Sequence, residues 1–284
     1  MRTVYVNGNF LPEEEATVSV FDRGFLFADA IYEVTSVLDG KLIDFSGHMT
    51  RLHRSLDALG MAMPMKDADL LAIHRELVSR NALSEGLVYL QISRGAEDRD
   101  FAFPGPDVPP TVVLFTQEKQ IIESALVKRG QKVITTDDLR WRRCDIKTVQ
   151  LLWASIVKNE AKAKGADDAW MVRDGYVTEG SSNNAYIVTT DGTIVTRDIS
   201  NDILAGITRT AVLKCAAEIG VTVEERAFTV AEAKAAREAF STSATGFVTP
   251  VIAIDGEPVG DGKPGPVAAR LREIYIEMSR AAAI

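Results

Sequence analysis

The chain has 284 residues, of which 46% are hydrophobic, and its 32 basic and 40 acidic side chains give a formal net charge of −8. The acidic and basic residues are mixed along the chain, whereas a nucleic-acid-binding protein needs Lys and Arg clustered on one face. No apolar run reaches the roughly 18 residues of a membrane-spanning helix. The two cysteines, Cys144 and Cys215, are far apart in the sequence and form neither a disulfide scaffold nor a paired zinc motif. We therefore expect a globular protein of the cytoplasm, with no membrane or nucleic-acid partner.

The first third of the chain alternates predicted strands and helices. An Asn7-Gly8 turn predicts a hairpin, and the run Ala30–Leu38 predicts a strand that Asp39-Gly40 turns into a short second strand. Ser46 is predicted to cap a helix with apolar residues at every third or fourth position, and Gly60 is predicted to end it. The same patterns predict a helix over 67–82 and strands over 87–93 and 111–116.

The remaining chain contains two irregular segments and a second set of elements. Segment 94–110 is charged and then rich in Pro and Gly, which is typical of a functional loop. The polar segment 119–130 is the predicted linker between a smaller domain, 1–118, and a larger one, 131–284. The predicted elements of the larger domain are helices over 151–164, 207–220 and 266–278, and strands over 132–136, 168–172, 184–189, near Phe240 and over 247–254. Hairpin turns among mixed helices indicate an α+β fold rather than a doubly wound parallel sheet.

One glycine pattern, Gly260-Asp-Gly-Lys-Pro-Gly265, formally fits the dinucleotide-binding fingerprint. That fingerprint needs a preceding strand and a helix N-terminus aimed at a pyrophosphate. Only three residues separate this pattern from an earlier turn, and Pro264 lacks a backbone donor, so we interpret it as a turn into the last helix. The three histidines fall in predicted helices without a metal-ligand spacing, and no metal site is predicted.

Three segments together suit the chemistry of pyridoxal 5'-phosphate (PLP). Such a site needs a lysine for the aldehyde, a carboxylate that keeps the pyridine nitrogen protonated, and donors for the phosphate. Lys147 lies in an irregular stretch between a strand and a helix, and Glu179 precedes small polar residues and a strand. Gly206, Ile207 and Thr208 open a helix, where exposed amides favour a phosphate. Each segment alone has an ordinary structural interpretation, whereas together they supply three different needs of one cofactor.

The stretch from Glu179 to Arg209 resembles the class IV aminotransferases. It has the pattern Glu-x-small-x-x-Asn-apolar-aromatic, then Ile194-Val195-Thr196, then Leu-x-Gly-Ile-x-Arg. The resemblance covers essentially the whole chain through further segments: 22–25, 29–34, Arg51, Arg94-Gly95, Arg99, 144–147, 249–251 and 261–265. The subgroup it most resembles is D-amino-acid (D-alanine) transaminase. The resemblance implies the two-domain α+β fold called fold type IV, with a substrate loop in the smaller domain and PLP in the larger. It also implies amino transfer between a D-amino acid and a 2-keto acid.

The resemblance also implies a role for individual residues at the cofactor. Lys147 would form the Schiff base with PLP and act as the acid–base catalyst, Glu179 would pair with the pyridine nitrogen, and Leu204 would lie against the ring. The phosphate would be held by the following residues: Arg51, Gly206, Ile207, Thr208 and Thr245.

At the substrate end the chain departs from the family pattern. Tyr32 would border the substrate, and Arg99 corresponds to the family's arginine that binds the α-carboxylate from the neighbouring subunit, which implies a homodimer with shared active sites. The family usually has a histidine two residues after this arginine, and this chain has Phe101. An apolar ring there removes one donor to the carboxylate.

Several alternatives therefore stay open. The segment Arg143-Cys-Asp-Ile-Lys147 and the spacing of Arg94 and Arg99 favour the D-amino-acid subgroup, while Phe101 is compatible with an (R)-selective amine transaminase. A branched-chain amino-acid aminotransferase or an aminodeoxychorismate lyase on the same fold is a further alternative. A PLP-binding protein without turnover is the alternative from another class, and the set of Lys147, Glu179 and Arg51 argues against it.

Overall fold

A computed structural model describes all residues from 1 to 284. The chain forms two compact units. The first contains Met1–Gln120, Ile146–Gln150 and Ala282–Ile284, and the second contains Ile121–Asp145 and Leu151–Ala281. The division into domains at 119–130 stays a proposal, and the short segment around Lys147 groups with the first unit although it lies far along the chain.

The first unit is a six-stranded antiparallel sheet with helices on one face. Its elements in chain order are β1 Thr3–Val6, β2 Asn9–Pro12, α1 Arg23–Phe27, β3 Ala30–Leu38, β4 Lys41–Leu42, α2 Phe45–Ala58, α3 Asp67–Arg80, β5 Gly86–Ser93 and β6 Thr111–Glu118. The strands lie in the order β2-β1-β6-β5-β3-β4. Alternate residues of β3 point to opposite faces of the sheet, so the strand presents one set of side chains to α2 and another to the opposite face.

The core of the first unit lies between this sheet and helices α2 and α3. Leu52 and Leu56 of α2 and Leu77 of α3 are buried against Val88 and Leu90 of β5. Each fully buried side chain of this kind stabilises the fold by about 1.5–3 kcal/mol. This packing fixes α2 on β3 and so brings Arg51 of α2 next to Glu33 of β3.

The ends of α2 show one wrong and one confirmed prediction. Ser46 is not the N-cap, because the helix starts at Phe45 and its N-cap is Asp44, which has a φ of 54° and makes no side-chain capping bond. Phe45 is buried in the core, and this burial accounts for the earlier start. At the other end, the amide of Gly60 donates to Asp57 and the next amide donates to the oxygen of Leu56. Gly60, at φ +61°, therefore ends the helix in a Schellman motif.

The second unit is built on a nine-stranded mixed sheet. Its elements in chain order are α4 Ala125–Arg129, β7 Gln131–Asp137, α5 Leu152–Ala163, β8 Asp168–Arg173, β9 Tyr176–Gly180, β10 Asn184–Val188, β11 Ile194–Thr196, α6 Ile207–Glu218, β12 Val223–Glu225, α7 Val230–Lys234, β13 Glu238–Ser243, β14 Phe247–Ile254, β15 Glu257–Pro258 and α8 Pro266–Ala282. The strands follow the order β12-β11-β10-β13-β14-β7-β8-β9, with β15 paired to β14. The fold is α+β, and no helix is both long and apolar enough to cross a membrane.

The glycine pattern near residue 260 forms a turn that leads into α8, as predicted. The Glu238 carboxylate accepts bonds of 3.1 Å from the amides of Val267 and Ala268, in the first turn of α8. A Cβ on Gly265 would lie 2.1 Å from Glu238 Cδ, so glycine is required for this approach. The end of α8 that would attract a phosphate is thus occupied by the protein's own carboxylate.

Candidate active site

Lys147 is held by its backbone at the beginning of β3. Its oxygen accepts a bond of 3.0 Å from the amide of Tyr32, and the amide of Val149 donates to Ala30 at 3.1 Å. On the other side, the Lys147 amide donates to Ser55 Oγ of α2 at 3.3 Å. Lys147 therefore lies in an extended segment fixed by two elements of the first unit, and its side chain is partly buried rather than a freely solvated loop lysine.

The Lys147 amine lies beside an aromatic surface. Its Nζ is 4.1 Å from the centre of the Tyr32 ring. Tyr32 stacks on Tyr89 of β5 with 5.6 Å between ring centres, and Tyr89 stacks on Phe115 of β6 at 4.7 Å. The Tyr89 hydroxyl donates to Gln91 at 2.8 Å, and burial raises the pKa of Tyr89 above its usual range, so the phenol is neutral at physiological pH. This half-buried face offers neutral, largely apolar contacts next to the Lys147 amine.

On the opposite face of β3, Glu33 binds two side chains of α2. Arg51 Nε donates to Glu33 Oε1 at 2.8 Å and Arg51 Nη2 donates to Oε2 at 2.7 Å, which is a bidentate pair. His48 Nδ1 lies 2.7 Å from Oε2. Burial by itself would raise the pKa of Glu33, but the Arg51 guanidinium, followed by His48, lowers it to about 2. Arg51 is thus held rigidly by a carboxylate that stays ionised.

Glu179 is the next-to-last residue of β9 and is only 5% exposed. Its Oε1 accepts a bond of 2.5 Å from Arg140 Nη1, and its Oε2 accepts bonds from Asn184 Nδ2 at 3.0 Å and from the Leu204 amide at 3.2 Å. Burial raises the pKa of Glu179, while Arg140 and then the Leu204 amide oppose that rise. The sequence pattern placed this carboxylate before a strand, whereas the structure places it inside one that was not predicted.

Arg140 and Asp138 are site residues that the sequence did not single out. Arg140 Nε and Nη2 donate to the two oxygens of Asp138 at 2.9 and 2.7 Å, and the Thr178 hydroxyl donates to the same carboxylate at 2.8 Å. The Asp138 side chain is fully buried. Arg140 lies only seven positions before Lys147, but four other charged or aromatic residues lie between the two in the sequence. Nothing local distinguishes it, because its partner Glu179 is contributed by a distant strand.

The first turn of α6 has the features of an anion-binding end. Gly206 is the N-cap and supplies no capping side chain. Asn184 lies so near that a Cβ on Gly206 would be 2.1 Å from its Oδ1, and Asn184 Nδ2 also donates to the Leu204 oxygen at 2.9 Å. Thr208 is buried in the first turn, and Thr245 lies in the turn that joins β13 to β14. Free amides and a partial positive charge at a helix N-terminus suit a phosphate.

Arg99 and Phe101 lie together on the loop between β5 and β6. The Arg99 guanidinium is 5.2 Å from the centre of the Phe27 ring and 5.2 Å from that of Phe101. The loop is fixed by Arg23, whose Nη1 donates to the backbone oxygens of Asp100 and Ala102 at 2.7 and 3.1 Å. Phe101 is 79% exposed, so it presents an apolar surface beside the arginine.

The structure thus arranges the predicted residues in two groups. In the first unit, Lys147 contacts Tyr32, while Arg51 lies on the other face of β3 and Arg99 and Phe101 lie on the long loop. The members of the second-unit group are Glu179, Leu204, Gly206, Ile207, Thr208 and Thr245. Glu179 accepts a hydrogen bond from the Leu204 amide, and Asn184 Nδ2 donates both to Glu179 and to the Leu204 oxygen.

Comparison with known proteins identifies the family. The family model for amino-transferase class IV matches residues 30–254. The chain belongs to the class IV aminotransferases. It is 40% identical over 273 residues to the D-alanine aminotransferase of Staphylococcus aureus strain COL, covering 96% of each chain. It is 38% identical over 269 residues to the D-alanine aminotransferase of Bacillus licheniformis, covering 95% of this chain and 94% of that one.

Solved structures give the same fold. A branched-chain amino acid aminotransferase from T.th., complexed with N-(5'-phosphopyridoxyl)-L-glutamate, superimposes with a TM-score of 0.90 at 30% identity, covering 99% of this chain and 94% of that one. A branched-chain amino acid aminotransferase from Escherichia coli has a TM-score of 0.87 at 23% identity, covering 98% and 94%, and shares the fold. The predicted fold type IV is confirmed. This class IV aminotransferase is a PLP-dependent transaminase. Within the second unit, the buried Glu179 carboxylate and the N-terminus of α6, which has no capping side chain, fit that cofactor.

Proposed function

We propose that this aminotransferase moves an amino group between a D-amino acid of the D-alanine type and a 2-keto acid. The proposal is supported by D-alanine aminotransferases at 38–40% identity that match about the whole length of the chain. The structural observation that carries it is Lys147, whose backbone is fixed on β3 and whose amine faces the Tyr32 ring.

The residues of the chain divide the work at the cofactor. When bound, PLP withdraws electrons from the substrate carbon that carries the amino group. We assign to Lys147 the covalent attachment of the cofactor as a Schiff base and the removal and return of the proton at that carbon. The Glu179 carboxylate keeps the ring nitrogen of the cofactor protonated, and Leu204 lies against the ring. The phosphate is held by the following residues: Arg51, Gly206, Ile207, Thr208 and Thr245.

At the substrate end, we assign the α-carboxylate to Arg99 and the border of the substrate to Tyr32. In this proposal the enzyme is a cytoplasmic homodimer, and Arg99 serves the site of the neighbouring subunit. The position of Arg99 between two phenyl rings supports its role, since aromatic rings attract and orient a guanidinium. Phe101 forms an apolar contact beside the carboxylate instead of a second donor.

Borohydride reduction followed by peptide mapping tests the assignment of Lys147. We expect one pyridoxyl group per chain, on Lys147, and we expect Lys147→Ala to remain unlabelled and inactive. Lys162→Ala, which alters an exposed lysine of α5, is the control and keeps both label and activity. A label on another lysine, or full activity of Lys147→Ala, would contradict the assignment.

Half-reactions test the substrate. D-alanine, L-leucine and (R)-1-phenylethylamine are each mixed with the PLP-loaded enzyme, and the loss of its visible absorbance is followed. We expect the fastest loss with D-alanine, and no response to D-amino acids would refute the proposal. Reaction with L-leucine would instead indicate a branched-chain aminotransferase, and reaction with none of the amino donors would indicate a binding protein without turnover.

A second function, (R)-selective amine transamination, is favoured by one observation. Phe101 places an exposed apolar ring 5.2 Å from the Arg99 guanidinium, where a donor to the carboxylate would otherwise be. An amine without a carboxylate could use such an apolar surface. Faster turnover of (R)-1-phenylethylamine than of D-alanine, reversed in Phe101→His, would establish this function.

A further inference from the structure

The buried Glu179 carboxylate is stabilised as an anion by one cationic side chain. Two of its three donors, the Asn184 amide group and the Leu204 backbone amide, are neutral. The third is Arg140, whose Nη1 lies 2.5 Å from Glu179 Oε1. A carboxylate removed from water favours its protonated form unless a cation or several donors compensate for the lost solvation. Arg140 is therefore the side chain that sets the charge of Glu179.

Arg140 is in turn held by a network of paired charges. Its other edge forms a bidentate pair with the fully buried Asp138. Arg173 lies 3.3 Å from Asp138 and also bonds to Asp202. Arg197 Nη2 lies 3.4 Å from the same Asp202, and Arg197 Nε lies 3.7 Å from Asp198, so the network contains three arginines and four carboxylates. Burial raises the pKa of the neighbouring Cys144 to about 11, so the thiol adds no charge near neutral pH.

The charge of Glu179 matters because a proton is shared between this carboxylate and the cofactor nitrogen if Glu179 has the role proposed above. Two arrangements compete: a carboxylate beside a protonated ring, and a neutral carboxyl beside a neutral ring. In a buried site without a further charge, the neutral arrangement avoids the desolvation of two ions. The Arg140 guanidinium stabilises only the arrangement in which Glu179 is ionised.

We propose that Arg140 is a positioning residue that keeps Glu179 ionised and thereby moves the shared proton onto the ring nitrogen of the bound cofactor. The inference rests on the proposed roles of Lys147 and Glu179. If the inference is correct, the electron-withdrawing power of the cofactor depends on Arg140, which acts on the ring through Glu179. The proton moves from the Glu179 oxygen to the ring nitrogen, and no other atom or electron pair is exchanged.

The test is the ¹⁵N chemical shift of ring-labelled PLP in the reconstituted enzyme at neutral pH. We expect a pyridinium nitrogen in the wild type and a shift toward the value of a neutral pyridine in Arg140→Gln. Arg140→Lys keeps a cation near Glu179 and should keep the pyridinium signal. Arg143→Gln is the matched control, because Arg143 belongs to the same segment but is exposed and pairs with Asp145 at 3.0 Å.

A second variant separates the proposal from a loss of folding. Arg140→Gln leaves Asp138 without its bidentate partner, so the double variant Arg140→Gln, Asp138→Asn removes both charges together. We expect the double variant to bind PLP on Lys147 and to show the neutral pyridine signal. We also expect its half-reaction with D-alanine to be about tenfold to a hundredfold slower, as for the loss of one charge-assisted hydrogen bond.

Failure of the role proposed for Arg140 can be distinguished from failure of the proposed function. A pyridinium signal that persists in both the single and the double variant would overturn the role of Arg140 while leaving Lys147 and Glu179 in place. A neutral signal in the wild type, with the pyridoxyl label on Lys147, would also overturn it. Absence of the label from Lys147 in the wild type would refute the proposed function and this inference with it.

Discussion

Replacing Glu33 by Gln removes the carboxylate that Arg51 and His48 contact inside the first unit. The pKa of Glu33 falls from 4.5 to about 2 in the folded protein. Each pKa unit corresponds to about 1.4 kcal/mol, so the ionised carboxylate contributes on the order of 3 kcal/mol to the free energy of unfolding. Removing one member of a buried pair gives a loss of similar size, about 3–5 kcal/mol. We expect Glu33→Gln to destabilise the first unit by about 3 kcal/mol at pH 7.

The sign of the pH dependence follows from the direction of the shift. Because the folded pKa of Glu33 is below the unfolded one, its contribution is complete above about pH 5 and is lost as the pH falls toward 2. About 2 kcal/mol of it is lost at pH 3. The difference in stability between the wild type and Glu33→Gln should therefore narrow from about 3 kcal/mol at pH 7 to about 1 kcal/mol at pH 3.

Urea unfolding of the cofactor-free protein at the two pH values measures this difference. The three tryptophans, Trp141, Trp153 and Trp170, all lie in the second unit, so unfolding of the first unit is followed by far-ultraviolet circular dichroism. Glu13→Gln is the control, because Glu13 forms an exposed pair with Arg2 and should change stability by less than about 1 kcal/mol. A loss below about 1 kcal/mol for Glu33→Gln, or an equal loss at pH 7 and pH 3, would refute the reasoning.

Three further substitutions test the site. Gly206→Ala brings a Cβ within 2.1 Å of Asn184 Oδ1, and we expect the displaced helix start to weaken PLP binding at least tenfold, as measured by fluorescence titration. Tyr89→Leu breaks the ring stack that continues from Tyr32, and one lost aromatic pair is worth about 0.5–1.5 kcal/mol. We therefore expect the kcat/KM ratio for D-phenylalanine over D-alanine to change by about twofold to tenfold. Arg51→Lys loses the bidentate pair with its carboxylate partner, and we expect PLP affinity to fall by about tenfold to a hundredfold.

Each of these substitutions has a matched control. Gly105→Ala introduces a Cβ with nothing within 4 Å, and PLP binding should not change. Tyr89→Phe keeps the ring and removes the hydroxyl, so the substrate ratio should stay near the wild-type value. Arg54→Lys alters an exposed arginine of the same helix as Arg51 and should leave PLP affinity unchanged. A control that behaves like its partner variant would contradict the corresponding prediction.

Sequence patterns predicted well the elements whose ends are determined by neighbouring residues in the chain. Strands Ala30–Leu38 and Phe247–Ile254 were predicted with the bounds that the structure shows, because turns of one or two residues limit them on at least one side. The start of α6 at Ile207 was also predicted correctly, since Gly206 supplies a local signal. The Ser46 cap was wrong because burial of Phe45, a tertiary effect, moved the helix start by two residues, from an N-cap at Ser46 to one at Asp44.

The features that sequence patterns missed are those that depend on distant partners. Strand β9 was not predicted, although it carries Glu179, because its residues pair with β8 across a turn and show no clear alternation. The segment around Lys147 pairs with the beginning of β3, more than 100 positions earlier in the chain. Arg140 and Glu179 are 39 positions apart. Local spacing carries no information about such contacts, so the partner of a functional residue has to come from the structure.

Two charged side chains that are proposed to contact the cofactor, Arg51 and Glu179, are each held by a partner of opposite charge. Arg51 is paired with the buried Glu33, and Glu179 is paired with Arg140, each across a hydrogen-bonded contact of 2.5–2.8 Å. In both pairs the partner holds in place the side chain that is proposed to touch the cofactor. At Glu179 the Arg140 guanidinium also opposes the neutral form that burial alone favours. A motif can therefore identify Glu179, but its action as an anion is a property of the pair. It follows that a class IV sequence with this glutamate and without a cation at position 140 would bind the ring with a different proton balance.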